Sequence, residues 1–525
     1  MAKKKQILIT FLLGAEFAVL LRALLKQYYR MTFVCALWII LTLGFFMLQQ
    51  SYSRLNRIPA SGAKARHKLL AAAVMLLCIA ACSIPMDLSP YWNGETADHR
   101  NQYELITESF LNGRLSFDYE VDPALTALNN PYSYQERIDA GVEFYWDHAF
   151  YDNQYYMYFG VAPVFLIFMP YRLLTGSPLT TYHATQFFTA LFICGIFALF
   201  ALLCRLHLRK TPFGRYLALS ASVSLLSVWY SAAAPALYCT AITAGLALMV
   251  WSLYSFLRAV HPDTSDRAQL LWGFFGSLLG ALTFACRPPI ALANLLALPL
   301  LIAYLRRQSR ITPRLIARLC LAVLPYVLVG AALMAYNYAR FDNPFEFGQS
   351  YQLTITDQTD LVETVSADSL LSRITANFFA LRSVSTFGGA LTNFPLLLLG
   401  AGVFLPRVWK QLRSRNLLCF ALTLCALPVL ITTADALWSP VLLERYRMDI
   451  YFLLGILCFI AVGAWECRSE GGRALLDAAI FTLSVFAVFT CVHFFLIPND
   501  ANWTKLYFPE LVDILFNLMT FDLFA

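Results

Sequence analysis

The chain has 525 residues, of which 59% are hydrophobic and 14% are charged, and its formal net charge is +7. Soluble globular proteins carry about a quarter of their residues as charged ones, so this composition excludes a soluble enzyme. No basic-aromatic patch, zinc-finger spacing or recognition helix points to nucleic acid. Apolar runs near the ~20 residues that cross a bilayer recur throughout. The sequence therefore predicts an all-α polytopic membrane protein.

Thirteen apolar runs predict transmembrane helices. They are residues 7–26, 32–49, 68–85, 183–204, 216–230, 232–258, 269–286, 288–305, 316–336, 389–405, 417–434, 447–465 and 475–495. Glu16 lies in the middle of the first run. Because a carboxylate at the bilayer centre costs roughly 2.5–3.5 kcal/mol on insertion scales, residues 7–26 either span the membrane or lie on its surface.

Basic residues and acidic loops alternate between these runs. The clusters at 3–5, 54–66, 205–215, 306–314 and 407–415 are rich in Lys and Arg and hold almost no acid. The positive-inside rule places such loops in the cytoplasm. The sequence therefore predicts a multi-pass plasma-membrane protein, bacterial by this architecture, with a cytoplasmic N-terminus and extracytoplasmic segments at 86–182, 337–388 and 435–446.

This topology divides the chain into four parts. They are an N-terminal hairpin with its basic loop (1–67), a core with the extracytoplasmic loop 86–182 (68–336), a second extracytoplasmic loop (337–388) and C-terminal helices with an extracytoplasmic tail (389–525).

Two apolar stretches predict interfacial helices instead of membrane spans. Residues 154–174 are interrupted by Gly160, Pro163 and Pro170, and such breaks leave pieces too short to span. Counting this stretch as a span would also move the basic loop 205–215 outside the cell. Residues 366–384 carry an apolar stripe and would close a cavity at the outer surface.

The long polar loop contains the first candidate for chemistry. Asp98 follows the membrane exit of helix 68–85, and an amphipathic pattern from Tyr103 to Leu111 predicts a helix that Gly113 ends. A carboxylate there can take a proton from an attacking hydroxyl. The alternative role for Asp98 is an N-cap of that helix.

The motifs around this loop resemble those of GT-C fold glycosyltransferases, the class of protein mannosyltransferases and aminoarabinose-to-lipid-A transferases. In order, they are a membrane helix, the exposed Asp98, Leu-Asn-Gly-Arg-Leu at 111–115, Asp-x-Ala-x-Tyr at 147–151 and Tyr-x-Tyr-Phe-Gly-x-x-Pro at 156–163. Downstream, the resemblance extends to Cys-Arg-Pro-Pro at 286–289, to residues 336–348 and to Glu-Arg-Tyr-Arg at 444–447. It covers roughly 68–465 through short motifs.

The resemblance implies a role for each of these positions. Asp98 stands where the class has its catalytic acid, and a sugar would be taken from a polyprenyl-phosphate donor. The motif positions Glu346, Glu444 and Tyr446 become candidates for substrate binding. Many members of the class have two adjacent acids at the catalytic position, whereas Asp98 is followed by His99. A divalent metal is therefore possible but not supported, and no metal ligands or cofactors are assigned.

Four arginines fall at the predicted outer ends of helices, where a lipid phosphate would lie. They are Arg287, Arg340, Arg445 and Arg447. A guanidinium pairs with phosphate through two hydrogen bonds. The alternative for each is snorkelling from a helix end, or a salt bridge to Asp342 or Glu444.

Asp147 and His148, which directly follow the aromatic run 144–146, form a second acidic candidate. They could orient a sugar hydroxyl or bind a metal. One Asp and one His are too few ligands to argue for a metal, so substrate orientation and structural hydrogen bonding remain.

These observations favour an inverting GT-C glycosyltransferase that uses a membrane-delivered donor, because no Rossmann-like nucleotide-binding segment occurs. Its partners would be the bilayer, a polyprenyl-phosphate-linked sugar and a saccharide, lipid or protein acceptor. Two alternatives stay open. A transporter or flippase of lipid-linked saccharides would place ionisable residues along a central path, and a non-catalytic scaffold would leave Asp98 dispensable.

Overall fold

The computed structural model describes residues 55–87, 101–233, 235, 237–308, 310–359, 367–380, 388–439, 442–467, 469–496 and 510. The predicted helices 7–26 and 32–49 lie outside the described residues, and so does Asp98.

The first half of the described chain alternates long helices with a loop of short elements. In order, these are a 3₁₀ turn Ala60–Gly62, α1 Ala65–Asp87, α2 Gln102–Leu111, α3 Pro123–Thr126, α4 Tyr134–Asp139, β1 Ala149–Tyr151, β2 Gln154–Tyr156, a π-helical turn Val164–Phe168 continuing into α5 Met169–Thr175, α6 Thr181–Leu206, α7 Phe213–Ala233 and α8 Leu237–Ala259.

The second half is helical throughout its described parts. It contains α9 Asp266–Phe284, α10 Pro288–Ala291, a 3₁₀ segment Leu292–Leu296, α11 Ala297–Leu305, α12 Pro313–Phe341, α13 Ala367–Phe379, α14 Ala390–Asn393, a 3₁₀ segment Pro395–Phe404, α15 Pro406–Ser414, α16 Leu418–Trp438, a 3₁₀ turn Glu444–Arg447, α17 Met448–Ala464 and α18 Glu470–Leu496.

Nine helices in the described part of the chain are long and apolar enough to cross a membrane. They are Ala65–Met86, Thr181–Leu206, Phe213–Ala233, Leu237–Ala259, Pro288–Leu305, Pro313–Phe341, Leu418–Leu437, Glu444–Ala464 and Glu470–Val488. Each corresponds to a predicted run, so the all-α polytopic fold is confirmed. The stretch containing α17 lies at the centre, with 94% of its apolar window buried, whereas only 6% of that of α12 is buried.

Two further predicted runs differ from these nine. Residues 269–286 form α9, which includes Asp266 and Arg267 and is not among the nine. Residues 389–405 form α14 and the 3₁₀ segment Pro395–Phe404 instead of one α-helix. A 3₁₀ segment rises ~2 Å per residue, more than an α-helix does, so ten residues still cover a large part of the bilayer's depth. Gly400 packs in this segment against Leu457, whose Cγ would be 3.2 Å from an added Cβ.

The basic loops meet at one end of the helix bundle. Ala60 N donates to Thr211 O at 2.9 Å, which joins the loops 54–66 and 205–215. Glu466 pairs with both Lys210 and Arg415, at 3.3 and 3.0 Å. The predicted acidic loops lie at the opposite end of the helix bundle. The separation of the two charge classes is therefore present in the fold, while the cytoplasmic assignment of the basic end stays a prediction.

Residues 154–174 form short elements. After β2 the chain reaches the apolar helix Val164–Thr175, which has 12 residues and, at 1.5 Å per residue, is too short to span. β1 and β2 pair antiparallel through a two-residue turn in which Asp152 and Asn153 have φ of 47° and 55°. Asp and Asn tolerate the positive φ that this hairpin turn requires, a signal that the sequence analysis did not use.

Candidate active site

The two predicted extracytoplasmic loops form one structure, which we call the cap (101–180 and 342–359). Phe150 N donates to Tyr351 O and Leu353 N to His148 O, both at 2.9 Å. Asp147 N donates to Leu353 O at 3.1 Å. The second loop thus adds an edge to the β-hairpin of the first. The sequence placed both loops at the same membrane surface but did not predict this pairing.

Close backbone contacts fix the cap on the membrane helices. Ala162 N donates at 3.0 Å to the carbonyl oxygen of Ala285, just past the end of α9. Within the cap, Tyr103 Oη donates to Gly160 O at 3.0 Å. Gly160 has no room for a side chain, because an added Cβ would lie 2.0 Å from the carbonyl oxygen of Cys286. The cap therefore sits directly beside Arg287, at the start of α10.

Asp147 lies where the cap meets α8, in the left-handed conformation with φ of 56°. Tyr238, near the start of α8, donates its hydroxyl to Oδ2 of Asp147. Gln352 Nε2 donates to Oδ1 at 3.4 Å, and Gln102 Nε2 donates to the Asp147 carbonyl at 3.0 Å. One residue thus joins α2, both loops of the cap and a membrane helix.

Arg445 lies on the other side of Tyr238. Its Cζ is 3.9 Å from the centroid of the Tyr238 ring and 5.5 Å from that of Tyr446. The side chain is half-buried. Among the described residues no carboxylate forms an ion pair with it, although Asp449 lies within range of its charge. A guanidinium held by aromatic faces and without its own acid is suited to bind an anion.

Arg287 continues this line of residues into the membrane. Its Cζ is 4.9 Å from the Tyr446 ring. Its Nη2 lies 2.6 Å from Asp449 Oδ2 and 4.0 Å from Asp435 Oδ1. The predicted salt-bridge partners, Asp342 and Glu444, are therefore wrong for Arg287. Both actual partners are buried near the cap-facing ends of α17 and α16.

The structure thus brings four of the predicted site residues together: Asp147, Arg287, Arg445 and Tyr446. We call this group, with Tyr238, Asp435 and Asp449, the site strip. Tyr158 adjoins it, and burial, followed by the charge of Asp147, raises the pKa of its hydroxyl well above the ordinary value. Tyr158 therefore remains a neutral hydrogen-bond donor there.

Two other predicted residues serve the cap and are not part of the site strip. Arg340 is buried, donates to Met157 O at 2.6 Å and to Asn337 Oδ1 at 2.8 Å, and stacks on Tyr336. Glu346 Oε1 accepts from Gly348 N at 2.6 Å and fixes the turn after α12. These contacts hold the cap and the turn after α12 in place.

His148, next to Asp147, is fully buried among aromatic rings. Its ring centroid is 5.0 Å from that of Phe117 and 5.4 Å from that of Tyr119, and its Nδ1 lies 2.8 Å from Trp146 O. His148 thus makes a structural contact of the kind that the sequence allowed, and its role in orienting substrate stays a prediction. No group of three or more His, Cys, Asp or Glu side chains suited to a metal occurs among the described residues.

The remaining predicted residues flank Arg445 in the 3₁₀ turn. Glu444 begins that turn and is half-buried. Arg447 is 6% exposed, and its Nε and Nη1 have no hydrogen-bond partner in the described part of the chain. Arg447 therefore places a buried guanidinium one residue after Tyr446 of the site strip in the chain.

The described chain resumes three residues after Asp98, at Asn101. Helix α2 begins at Gln102, and Asn101 is its N-cap. Asp98 therefore precedes the cap position, and the alternative role as N-cap of this helix is wrong. Gln102 itself donates to the Asp147 carbonyl, so the N-terminus of α2 lies beside the site strip.

Tyr238, Gln352, Asp435 and Asp449 were missed by the sequence analysis. The two acids had a usable signal, because a carboxylate inside an apolar run is costly unless it is paired. Tyr238 and Gln352 had none, because neither belongs to a motif.

Comparisons with known proteins add a likeness of overall architecture. No family model and no curated protein matches the sequence. Among solved structures, ArnT from Cupriavidus metallidurans bound to undecaprenyl phosphate is similar over 87% of this chain and 75% of its own, with 17% identity and a TM-score of 0.44.

The apo oligosaccharyltransferase of Archaeoglobus fulgidus is similar at 14% identity with a TM-score of 0.39, covering 86% of this chain and 59% of its own. AglB of the same organism, in complex with an inhibitory peptide and a dolichol-phosphate, is similar at 15% identity with a TM-score of 0.39, covering 87% and 60%. This chain thus spans about three fifths of the archaeal proteins. These neighbours are GT-C transferases, the class that the sequence motifs resemble, and with TM-scores of 0.39–0.44 the likeness assigns no activity to this chain.

Proposed function

We propose that this protein is an inverting glycosyltransferase of the GT-C type that moves a sugar from a polyprenyl-phosphate donor to an extracytoplasmic acceptor. The observation that carries the proposal is Arg445, a half-buried guanidinium that rests on Tyr238 and Tyr446 and has no ion-pair partner among the described residues. It lies where the cap meets the outer ends of membrane helices, which is where a lipid phosphate would be held.

The phosphate would be bound by Arg445, with Arg287 as a second contact. Arg287 uses Nε and Nη2 for Asp449, so its Nη1 is the atom left for a ligand. Arg287 is 19% exposed whereas Asp449 is fully buried. The ion pair therefore fixes the guanidinium while one edge remains accessible. Preorganised cations of this kind stabilise charge as it develops on a leaving group.

The reaction would be a single displacement. An acceptor hydroxyl attacks the anomeric carbon, Asp98 takes its proton, and the bond between that carbon and the phosphate oxygen breaks. The electron pair of that bond stays on the phosphate, whose added negative charge Arg445 and Arg287 stabilise. One displacement inverts the anomeric configuration. Asp98 remains a proposal from sequence, supported by its place four residues before Gln102, whose side chain donates to the Asp147 carbonyl.

A transporter of lipid-linked saccharides is the competing function. It would need ionisable residues along a path through the membrane. Asp435 and Asp449 lie in membrane helices, but near their cap-facing ends and close to Arg287. Another buried pair, Arg215 with Asp477, joins α7 to α18 through two side chains that are each only 6% exposed. Paired charges at helix ends favour transfer at the surface over passage.

The test uses purified protein reconstituted in proteoliposomes with a panel of polyprenyl-phosphate sugars and membranes from a strain lacking the gene. We expect sugar transfer with inversion, measured by product isolation and NMR of the anomeric proton. Movement of an intact fluorescent lipid-linked saccharide between leaflets, without transfer, would support the transporter instead. As a control, Arg318→Gln removes an ion pair with the 69% exposed Asp266 and should transfer sugar normally.

A further inference from the structure

The carboxylate of Asp147 is already used by the protein. Tyr238 donates to one oxygen and Gln352 to the other. A non-glycine residue in the left-handed region is strained and persists where surrounding contacts determine it. Here those contacts come from Gln102, Tyr238, Gln352 and Leu353. A side chain held in this way is better suited to hold other groups than to bind a sugar.

Tyr238 transmits the position of Asp147 to Arg445. Its hydroxyl is fixed by the carboxylate, and its ring face lies 3.9 Å from the guanidinium carbon of Arg445. Because a cation is attracted to the face of an aromatic ring, the plane of this ring sets where the cation sits. The hydrogen bond of the Tyr238 hydroxyl to Asp147 thus determines where the Tyr238 ring supports Arg445.

The backbone of Asp147 is held as well as its side chain. Gln102, whose side chain donates to the Asp147 carbonyl, is fully buried at the start of α2. Asp147 is therefore fixed from both sides of the cap before its carboxylate meets Tyr238.

We propose that Asp147 is a positioning residue that acts through Tyr238 on Arg445 and so sets the place of the guanidinium that would hold the phosphate. This assignment rests on the proposed function and replaces the sequence-based expectation that Asp147 binds substrate. The cap, through Asp147, would then fix the phosphate-binding guanidinium before substrates bind.

Three variants test this proposal. Asp147→Asn keeps the shape but removes the charge, Tyr238→Phe removes only the hydroxyl, and the third combines both. Asp139→Asn is the matched control, since Asp139 lies in the same loop and its carboxylate accepts from the exposed Gln135. We expect each single variant to weaken binding of undecaprenyl phosphate in detergent about tenfold, the value for losing one hydrogen bond to a charged group. The double variant should bind undecaprenyl phosphate no more weakly than the single variant with the lower affinity.

A second measurement needs no ligand. Arg445 should react with phenylglyoxal several-fold faster in Asp147→Asn and Tyr238→Phe than in the wild type, as measured by mass spectrometry of the modified peptide, and at the wild-type rate in Asp139→Asn. Unchanged Arg445 reactivity in both variants, or a double variant whose loss of lipid binding is the product of the single losses, would overturn the proposal. If the wild-type protein binds no polyprenyl phosphate at all, the proposed function fails while the reactivity measurement still decides this role of Asp147.

Discussion

Arg287 and Asp449 form an ion pair in which Nε lies 2.7 Å and Nη2 2.6 Å from the same carboxylate oxygen. The residues are 162 positions apart, so this contact ties the start of α10 to the start of α17. A second acid, Asp435, is 4.0 Å from the same guanidinium. The pair connects the stability of the helix bundle to the position of a group that we assign to phosphate binding.

Removing Asp449 should destabilise the protein. Asp449→Asn leaves Arg287 without its main counter-ion, and breaking a buried pair in this way costs about 3–5 kcal/mol. We expect the lower end of that range, because Asp435 can approach the freed guanidinium. The measurement is thermal unfolding in detergent. Asp266→Asn, which breaks an exposed pair with Arg318, is the control and should melt within error of the wild type; an equally unchanged Asp449→Asn would refute the structural role.

Removing the guanidinium of Arg445 should weaken donor binding without unfolding the protein. Arg445 forms no ion pair among the described residues, so Arg445→Gln leaves no acid unpaired. A charge-assisted hydrogen bond contributes about 1.5–3 kcal/mol, which corresponds to a loss of ten- to a hundredfold in affinity for undecaprenyl phosphate. Arg445→Lys should recover part of it. Equal binding by Arg445→Gln and the wild type would remove Arg445 from the phosphate site.

Glu104 should give the stability a pH dependence. Its carboxylate accepts from the Thr181 hydroxyl at 2.9 and 2.7 Å, at the N-terminus of α6. Burial, partly opposed by these bonds, raises the pKa of Glu104 to about 7. Because the protonated form is the better accommodated one, this contribution to stability is complete below the unfolded value of 4.5 and is lost as the pH rises to about 7.

The measurement is the melting temperature between pH 4.5 and pH 8 for the wild type and Glu104→Gln. Each unit of pKa shift corresponds to about 1.4 kcal/mol. The wild type should lose stability across this window relative to Glu104→Gln, whose amide does not titrate. Parallel curves for the two proteins would contradict a raised pKa at Glu104.

The orientation in the membrane can be tested by epitope insertion. Gly113 has φ of 74° and open space around it, and Asp263 is 87% exposed in the loop between α8 and α9. An epitope after Gly113 should be recognised by antibody in intact spheroplasts, whereas one after Asp263 should need permeabilisation. The reverse pattern would place the cap in the cytoplasm and would contradict the proposed transfer to an extracytoplasmic acceptor.

Charge and hydropathy predicted the helices and their two ends, because both depend on local sequence. Motif order also identified Arg445, Tyr446 and Arg287, which the fold then brings together around one ring. Tyr238 and Gln352 could not be predicted, since each becomes important only through a partner at least 91 residues away. The same holds for the union of the two loops through Tyr351 and Leu353.

The salt-bridge partners offered as an alternative for Arg287, Asp342 and Glu444, were wrong for a related reason. Both lie near other arginines in the chain. In the fold, Asp342 ends α12 in a left-handed cap position with φ of 52°, and the guanidinium of Arg287 instead meets Asp449, which is fully buried. The packing of the helices determines the pairing of Arg287 with Asp449, and no short motif encodes that packing.

The most direct test of the central claim is single-turnover sugar transfer by purified Asp98→Asn, from a polyprenyl-phosphate sugar that the wild type uses. Removing a general base costs about 10²- to 10⁴-fold in rate. The account predicts that loss together with wild-type affinity for undecaprenyl phosphate, because Arg445 and Arg287 are intact. Transfer by Asp98→Asn at the wild-type rate would contradict it.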